Sequence, residues 1–307
     1  METPKDPATL TPLPTDSYAT LAHGPAFVPA PIAPDGTDPN NPTWNSLTAF
    51  GVWIGSVLFI IFVPTIAVLP YAIYKTAGTA RDSQTLLKAL TDSTAILINI
   101  VAVIPAHLLT LGLIWAVVTG FGKRPFWRAL GWSFGGRFGF WTSAGLAVAL
   151  LIVGGALTRL VGGEKTQIDQ IVANSTAARW SLAILAATTG PFVEELVYRG
   201  VLYSAFQRTI GMIWAVVLVS TLFTFVHVFQ YYNNLGVIAV ISILSISLTL
   251  VRAYTGRLLP CFIMHMVFNG IQSIYIVLSP YIEKPSPGGE QKAQAIVYLA
   301  RALYGLI

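Results

Sequence analysis

The sequence predicts an all-α, polytopic membrane protein, a transmembrane bundle of seven or eight helices. Hydrophobic residues make up 54% of the 307 residues and charged residues only 10%, whereas a soluble domain has about 25% charged residues. The mean hydropathy is +0.67, so there are too few charges to cover a soluble globule. The single cysteine excludes a disulfide-rich secreted scaffold. The basic residues are scattered and flank apolar runs, so no nucleic-acid partner is expected.

The first segment, residues 1–47, is predicted to be a disordered, Pro-rich N-terminal tail. It holds ten of the 19 prolines, and its five acids against one lysine give a net charge of −4. It shows no helical period, and it lacks the basic start and apolar core of a signal peptide. Such a composition suits an extended, unpacked chain. The membrane domain is therefore predicted to cover residues 48–307.

A membrane helix needs about 20 mostly apolar residues, and seven runs after the tail meet this condition. Pro64 and Pro70 are expected to kink the first run, and the Gly- and Ala-rich third run suits close helix packing. The fourth run is interrupted at Gly190-Pro191. A short eighth run, 293–307, is either a last span or an interfacial helix. In chain order, the seven runs cover 47–74, 93–121, 138–159, 181–208, 212–229, 235–251 and 258–280.

The fourth run carries three charged residues, Glu194, Glu195 and Arg199. A charge at bilayer depth costs about 2.5–3.5 kcal/mol on insertion scales, so such residues usually face protein or water and have a function. Glu195 and Arg199 are four residues apart with the acid first, the favourable order for a helical ion pair. Glu194 lies about 100° away around the helix and has no basic partner at helical spacing. We interpret Glu195 and Arg199 as a structural pair and Glu194 as a general base.

Three histidines also lie in apolar runs, and they differ in their surroundings. His107 has no acid, amide or second histidine at helical spacing, so it is interpreted as a structural hydrogen bond between helices. His265 shares a helical face with Asn269, which needs a hydrogen-bond partner in hydrocarbon. Phe223 lies one turn before His227 and is predicted to pack beneath its imidazole.

Together, Glu194, His227, His265 and Asn269 form the kind of set that hydrolyses a bond. The glutamate would deprotonate a water, and the histidines would orient that water or bind a metal. The amide of Asn269 would donate to the oxyanion of a tetrahedral intermediate. The spacing of these residues does not identify the bond that is cleaved.

These residues resemble the CPBP family of intramembrane proteases, which includes the type II CAAX prenyl endopeptidases and the bacterial Abi-type proteins. The motif of two glutamates and an arginine stands at 194–199, after a proline and before a glycine. Phe-x-x-x-His stands at 223–227 and His-x-x-x-Asn at 265–269, in family order. The resemblance covers about residues 180–275. It implies that Glu194 activates water, that the two histidines assist, and that Asn269 stabilises the oxyanion.

The resemblance further implies an intramembrane endopeptidase that cleaves a membrane-associated or lipid-modified protein, with CAAX-type proteins among the candidate substrates. The expected partners are the lipid bilayer and that substrate. A bacterial source would place the protein in the plasma membrane. The alternatives are a proton-coupled transporter, which also places Glu, His and Arg in mid-membrane, a haem-binding membrane cytochrome, and a non-catalytic immunity or scaffold protein on the same fold.

The metal requirement is open at this point. Zinc would be held by His227, His265 and Glu194, with water in the fourth position, and the family has been described as metalloproteases. Against zinc, the histidines lie on separate helices rather than four apart on one helix. Each imidazole would also need a further acceptor, while Glu195 is expected to be taken by Arg199. The favoured prediction is therefore a glutamate-activated water without a cofactor, with Zn²⁺ as the alternative.

Overall fold

The computed structural model describes residues 37–78, 82–136, 138–162 and 175–282, together with the isolated positions 169 and 171. Regular structure within these residues is helical, with no β-strand. In chain order the elements are α1 (Ser46–Thr76), α2 (Ser83–Leu90), α3 (Ser93–Val101), α4 (Val103–Thr119), α5 (Phe126–Ala129), α6 (Phe140–Val161), α7 (Thr176–Ala187), α8 (Thr189–Glu195), a π-helical segment (Leu196–Leu202), α9 (Tyr203–Ile210), α10 (Met212–Tyr231), α11 (Leu235–Thr255) and α12 (Leu259–Ile282).

Six stretches in the described part of the chain are long and apolar enough to cross a membrane, so the predicted helical membrane bundle is confirmed. They match six of the seven predicted runs, and the second consists of α3 and α4 in succession. The predicted run 293–307 and residues 1–36 of the predicted tail lie outside the described residues. The six stretches are Ser46–Thr76, Ser93–Thr119, Phe140–Val161, Met212–Tyr231, Leu235–Thr255 and Leu259–Tyr281.

The predicted fourth span, 181–208, is not one of these six and is not a single helix. It is divided among α7, α8, the π segment and α9. Residues 195–206 are all buried, and the π segment packs against α1, α4, α10 and α11. The middle of this broken helix therefore lies inside the bundle, where Glu195 and Arg199 are covered by protein rather than by lipid.

The apolar core has two parts. One joins the broken helix to α1, α4, α10 and part of α11, and the other joins α6, α11 and α12. Lipid tails are as apolar as leucine, so close packing and interhelical hydrogen bonds must hold such helices together. The polar contacts that connect the two parts therefore matter more than they would in a soluble protein.

Residues 37–45, the last part of the predicted tail in the described chain, are held against the helices. Arg252 donates to the side-chain oxygen of Asn40 (2.8 Å) and to the preceding backbone carbonyl (2.9 Å). The indole of Trp44, which is buried, donates to the backbone carbonyl of Val201 (3.1 Å). This part of the segment is thereby tied to both α11 and the π segment.

We expect Arg252→Met to lower the melting temperature Tm of the detergent-purified protein. Arg252 is fully buried and also donates to the backbone carbonyl of Arg199 (3.2 Å). Methionine keeps much of the volume but leaves three acceptors unpaired, at about 1–3 kcal/mol for each buried group. The matched control is Arg257→Met, because Arg257 is half-buried and its side chain donates to Ser133. Equal shifts in Tm for the two variants would contradict the prediction.

Candidate active site

A break between α7 and α8 sets the direction of the helix that carries Glu194. Pro191 has no N–H for the carbonyl four residues earlier, and in a regular helix its ring clashes with that carbonyl. The backbone leaves helical geometry at Thr188 (φ −125°, ψ −85°). A Cβ on Gly190 would lie 3.1 Å from the carbonyl oxygen of Leu185, so a glycine suits this close approach. The interruption predicted at Gly190-Pro191 thus lies slightly earlier, at Thr188, and both residues belong to the first turn of α8.

The π segment follows directly after Glu195 and carries Arg199. A π-helix bonds each N–H five residues back, is rare, and often occurs at functional sites. All its residues are buried. A Cβ on Gly200 would lie 3.0 Å from the side chain of Leu130, which is closer than ordinary van der Waals contact. The glycine therefore allows the charged segment to pack tightly inside the bundle.

Glu195 is the acceptor at the centre of the site. Its Oε1 accepts from Nη1 of Arg199 (2.9 Å) and from Nδ1 of His265 (2.8 Å). Glu195 and Arg199 are fully buried, and His265 is 2% exposed. The predicted pairing of Glu195 with Arg199 is confirmed, and His265 joins it from α12. Oε2 of Glu195 is buried without a hydrogen-bond partner among the described residues.

Arg199 also donates hydrogen bonds to two residues of α11. Nη2 donates to the side-chain oxygen (2.8 Å) and the backbone carbonyl (3.0 Å) of Ser245, and Nε donates to Thr249 Oγ1 (3.2 Å). The guanidinium also lies 4.7 Å from the ring centroid of Phe223, within the range of a cation–π interaction. A buried arginine with its donors satisfied in this way is a rigid support for Glu195.

Glu194 lies on the other side of His265 from Glu195. Its Oε2 is 3.7 Å from Nε2 of His265, and its side chain is 32% exposed, in contrast to the fully buried Glu195. Because Glu195 is paired with Arg199 and can only accept, His265 carries its proton on Nδ1 when neutral, which leaves Nε2 as an acceptor. The carboxylate of Glu194 and the imidazole lone pair thus face the same small space.

His227 is held from its own helix. Its Nδ1 lies 2.8 Å from the backbone carbonyl of Phe223, and its ring packs on the Phe223 ring at 4.8 Å between centroids. The predicted packing of Phe223 beneath the imidazole is confirmed. The Phe223 ring also meets His265 edge-on at 6.0 Å. One aromatic side chain therefore contacts both site histidines and the guanidinium of Arg199.

Asn269 lies across the break. Its Nδ2 donates to the backbone carbonyl of Ala186 (3.1 Å), in the last turn of α7, where carbonyls have no helical partner. This contact orients the amide. Since a carboxamide nitrogen has two hydrogens, the second N–H is left for another acceptor.

Three further residues lie near Glu194, and the sequence motifs did not place them in the site. Its carboxylate is close enough to interact electrostatically with His107, Tyr198 and Tyr231. The hydroxyl of Tyr198 accepts from the indole of Trp53 (3.0 Å). Tyr198 follows Glu194 by four residues and Tyr231 follows His227 by four, so helical spacing was the available signal for both tyrosines.

The zinc alternative would use His227, His265 and Glu194 as ligands. Each imidazole does use Nδ1 for a protein acceptor and leaves Nε2 available, as metal-binding histidines do. Glu195 was expected to be occupied by Arg199 and unavailable to an imidazole. This expectation is wrong, because Glu195 also accepts a hydrogen bond from His265. However, no three His, Cys, Asp or Glu side chains of the described residues lie close enough together to hold a metal ion, whereas catalytic zinc has three protein ligands.

The comparisons with known proteins bear on this part of the chain. No curated protein and no solved structure matches the sequence. A family model described as type II CAAX prenyl endopeptidase Rce1-like matches residues 176–271. That range runs from the start of α7 into α12 and contains all three motifs. Residues 176–271 are therefore similar to the Rce1-like family, and the resemblance to the CPBP family of intramembrane proteases is confirmed.

Proposed function

We propose that this integral membrane protein is an intramembrane endopeptidase that hydrolyses a peptide bond of a membrane-associated or lipid-modified protein. The family match and the six apolar helices support the class of enzyme. The observation that carries the proposed chemistry is the 3.7 Å separation between Glu194 Oε2 and His265 Nε2, two acceptors facing one space at the partly exposed end of the polar network.

The two facing acceptors are the basis for a water nucleophile. A water within hydrogen-bond reach of both would donate one hydrogen to Glu194 and the other to Nε2 of His265. Its lone pairs then face outward, towards the substrate. Glu194 takes a proton as the water oxygen attacks the peptide carbonyl carbon, which is general-base catalysis by a positioned carboxylate.

Attack produces a tetrahedral intermediate with a negatively charged oxygen. The second N–H of Asn269 is the donor assigned to this oxyanion, with the Ala186 contact holding the amide in place. His227 assists through Nε2, because its Nδ1 is bound to a backbone carbonyl. When the carbon–nitrogen bond breaks, the protonated Glu194 returns its proton to the leaving amine, and a carboxyl product and an amine product result.

The substrate class is the part of the proposal that needs a search in cells. The Rce1-like match favours a protein whose C-terminal region lies at the membrane, as in CAAX-type processing. The experiment compares the termini of membrane proteins in cells that carry the wild type or Glu194→Ala. We expect termini that occur only with the wild type. Identical sets of termini would argue against the endopeptidase.

The two adjacent glutamates should respond differently to the same isosteric change. Glu194→Gln is expected to abolish peptidase activity while Tm stays near the wild-type value, because Glu194 is partly exposed and outside the arginine network. Glu195→Gln should lower both activity and stability, because removing one partner of a buried ion pair typically costs about 3–5 kcal/mol. Full activity of Glu194→Gln would refute its role as the base.

Asn269→Ala is expected to lower kcat by about 10²–10³, the usual effect of losing one oxyanion donor, with a smaller change in KM. Peptide cleavage by purified variants measures both constants. The control is Asn99→Ala, because Asn99 also donates from its amide to a helix carbonyl, that of Ala95 (3.0 Å), but lies on α3. A normal kcat for Asn269→Ala would remove the oxyanion role.

Metal removal should leave the proposed reaction intact. We expect detergent-purified protein to keep its full kcat after dialysis against a chelator, with the metal content measured by elemental analysis of the same sample. One zinc per chain, lost together with activity and restored with it on adding zinc back, would instead establish the zinc alternative with His227, His265 and Glu194.

A further inference from the structure

We infer that His107 is a positioning residue of the active site, which holds the start of the Glu194 helix. This inference rests on the proposed function for its effect on activity. From sequence, His107 was expected to form only a structural hydrogen bond between helices, because it has no polar neighbour at helical spacing. The helix that it contacts is the one that carries the general base.

The contact is specific. Nδ1 of His107, on α4, lies 3.1 Å from the side-chain oxygen of Thr189. Thr189 is the first residue of α8, and Glu194 lies in the same short helix. His107 is 8% exposed, so the imidazole has little freedom to leave this position.

The chain is therefore held by a hydrogen bond from another helix both before and after the break between α7 and α8. Asn269 of α12 holds the backbone carbonyl of Ala186 before the break, and His107 of α4 holds Thr189 after it. The α8 helix begins without the capping hydrogen bond of a side chain from Thr188 and continues directly into the π segment. The contact between His107 and Thr189 therefore supplies a fixed point at the uncapped start of this helix.

The carboxylate of Glu194 also lies close enough to His107 for an electrostatic interaction. The second ring nitrogen, Nε2, has no hydrogen-bond partner among the described residues. His107 thus contacts the first residue of the Glu194 helix through Nδ1 and also interacts electrostatically with the carboxylate of Glu194. A residue that served only to join two helices would not need to be near the base.

If His107 has this positioning role, kcat should fall whenever the hydrogen bond between His107 and Thr189 is removed. His107→Ala and Thr189→Val should each lower kcat by about 10–100-fold, as small misplacements of a reacting group do, while KM changes little. The double variant should be no slower than the worse single variant, because both substitutions remove one interaction. His107→Asn, whose amide reaches roughly the position of Nδ1, should recover most of the lost rate.

Thr110→Val is the matched control for these substitutions. Thr110 is fully buried on the same helix, and its hydroxyl donates to the carbonyl of Ala106 within that helix. It should keep the wild-type kcat. Wild-type kcat in both His107→Ala and Thr189→Val would overturn the inference and leave the proposed function standing. A loss of rate that His107→Asn does not recover and that adds in the double variant would also overturn it.

A second measurement separates the inference from the proposed function. The chain has four histidines, so the ring nitrogens can be resolved by NMR of the purified, histidine-labelled protein. Glu194→Gln and Thr189→Val should each shift the His107 ring signals, whereas Thr110→Val should leave them unchanged. If the wild type cleaves no peptide and gives the same protein termini in cells as Glu194→Ala, the proposed function fails. The inference is then decided by NMR alone, and unchanged His107 signals would overturn it.

Discussion

The site depends on one carboxylate oxygen, Oε1 of Glu195, which accepts from both Arg199 and His265. A buried carboxylate without such partners would carry a desolvation cost that the fold could not offset. The arginine keeps Glu195 an acceptor, and that acceptor fixes which ring nitrogen of His265 carries the proton. The ion pair of Glu195 and Arg199 therefore sets the tautomer of His265 without having to touch a substrate.

The same ion pair adds polar contacts between the broken helix and α11, beside the apolar contacts between them. Arg199 belongs to the π segment in the first core cluster, and its other donors end on Ser245 and Thr249 of α11. Arg252 of α11 donates back to the carbonyl of Arg199 and onward to residues before α1. The contacts that hold the candidate site and those that pack the bundle thus belong to one polar network, so substitutions in this network should affect both the stability of the bundle and the geometry of the site.

Much of the fold follows from composition and apolar run length. Six of the seven predicted runs are long helices at nearly the predicted places, because about 20 apolar residues in a row have few other stable solutions in a bilayer. The run around 181–208 is the exception. The pair Gly190-Pro191 indicated that the helix is interrupted in this run. The π geometry of Leu196–Leu202, however, depends on contacts with four other helices, which no local pattern encodes.

For the site, the candidate residues, the pairing of Glu195 with Arg199 and the likeness to a protease family could be predicted from the sequence. These depend on spacing within one helix and on motif order. Three contacts could not be predicted in this way: His265 shares Glu195 with the arginine, Asn269 binds the end of α7, and His107 lies beside the helix of Glu194. The reason is physical: each of these contacts joins residues from different helices, and the direction and rotation of packed helices arise from the whole bundle.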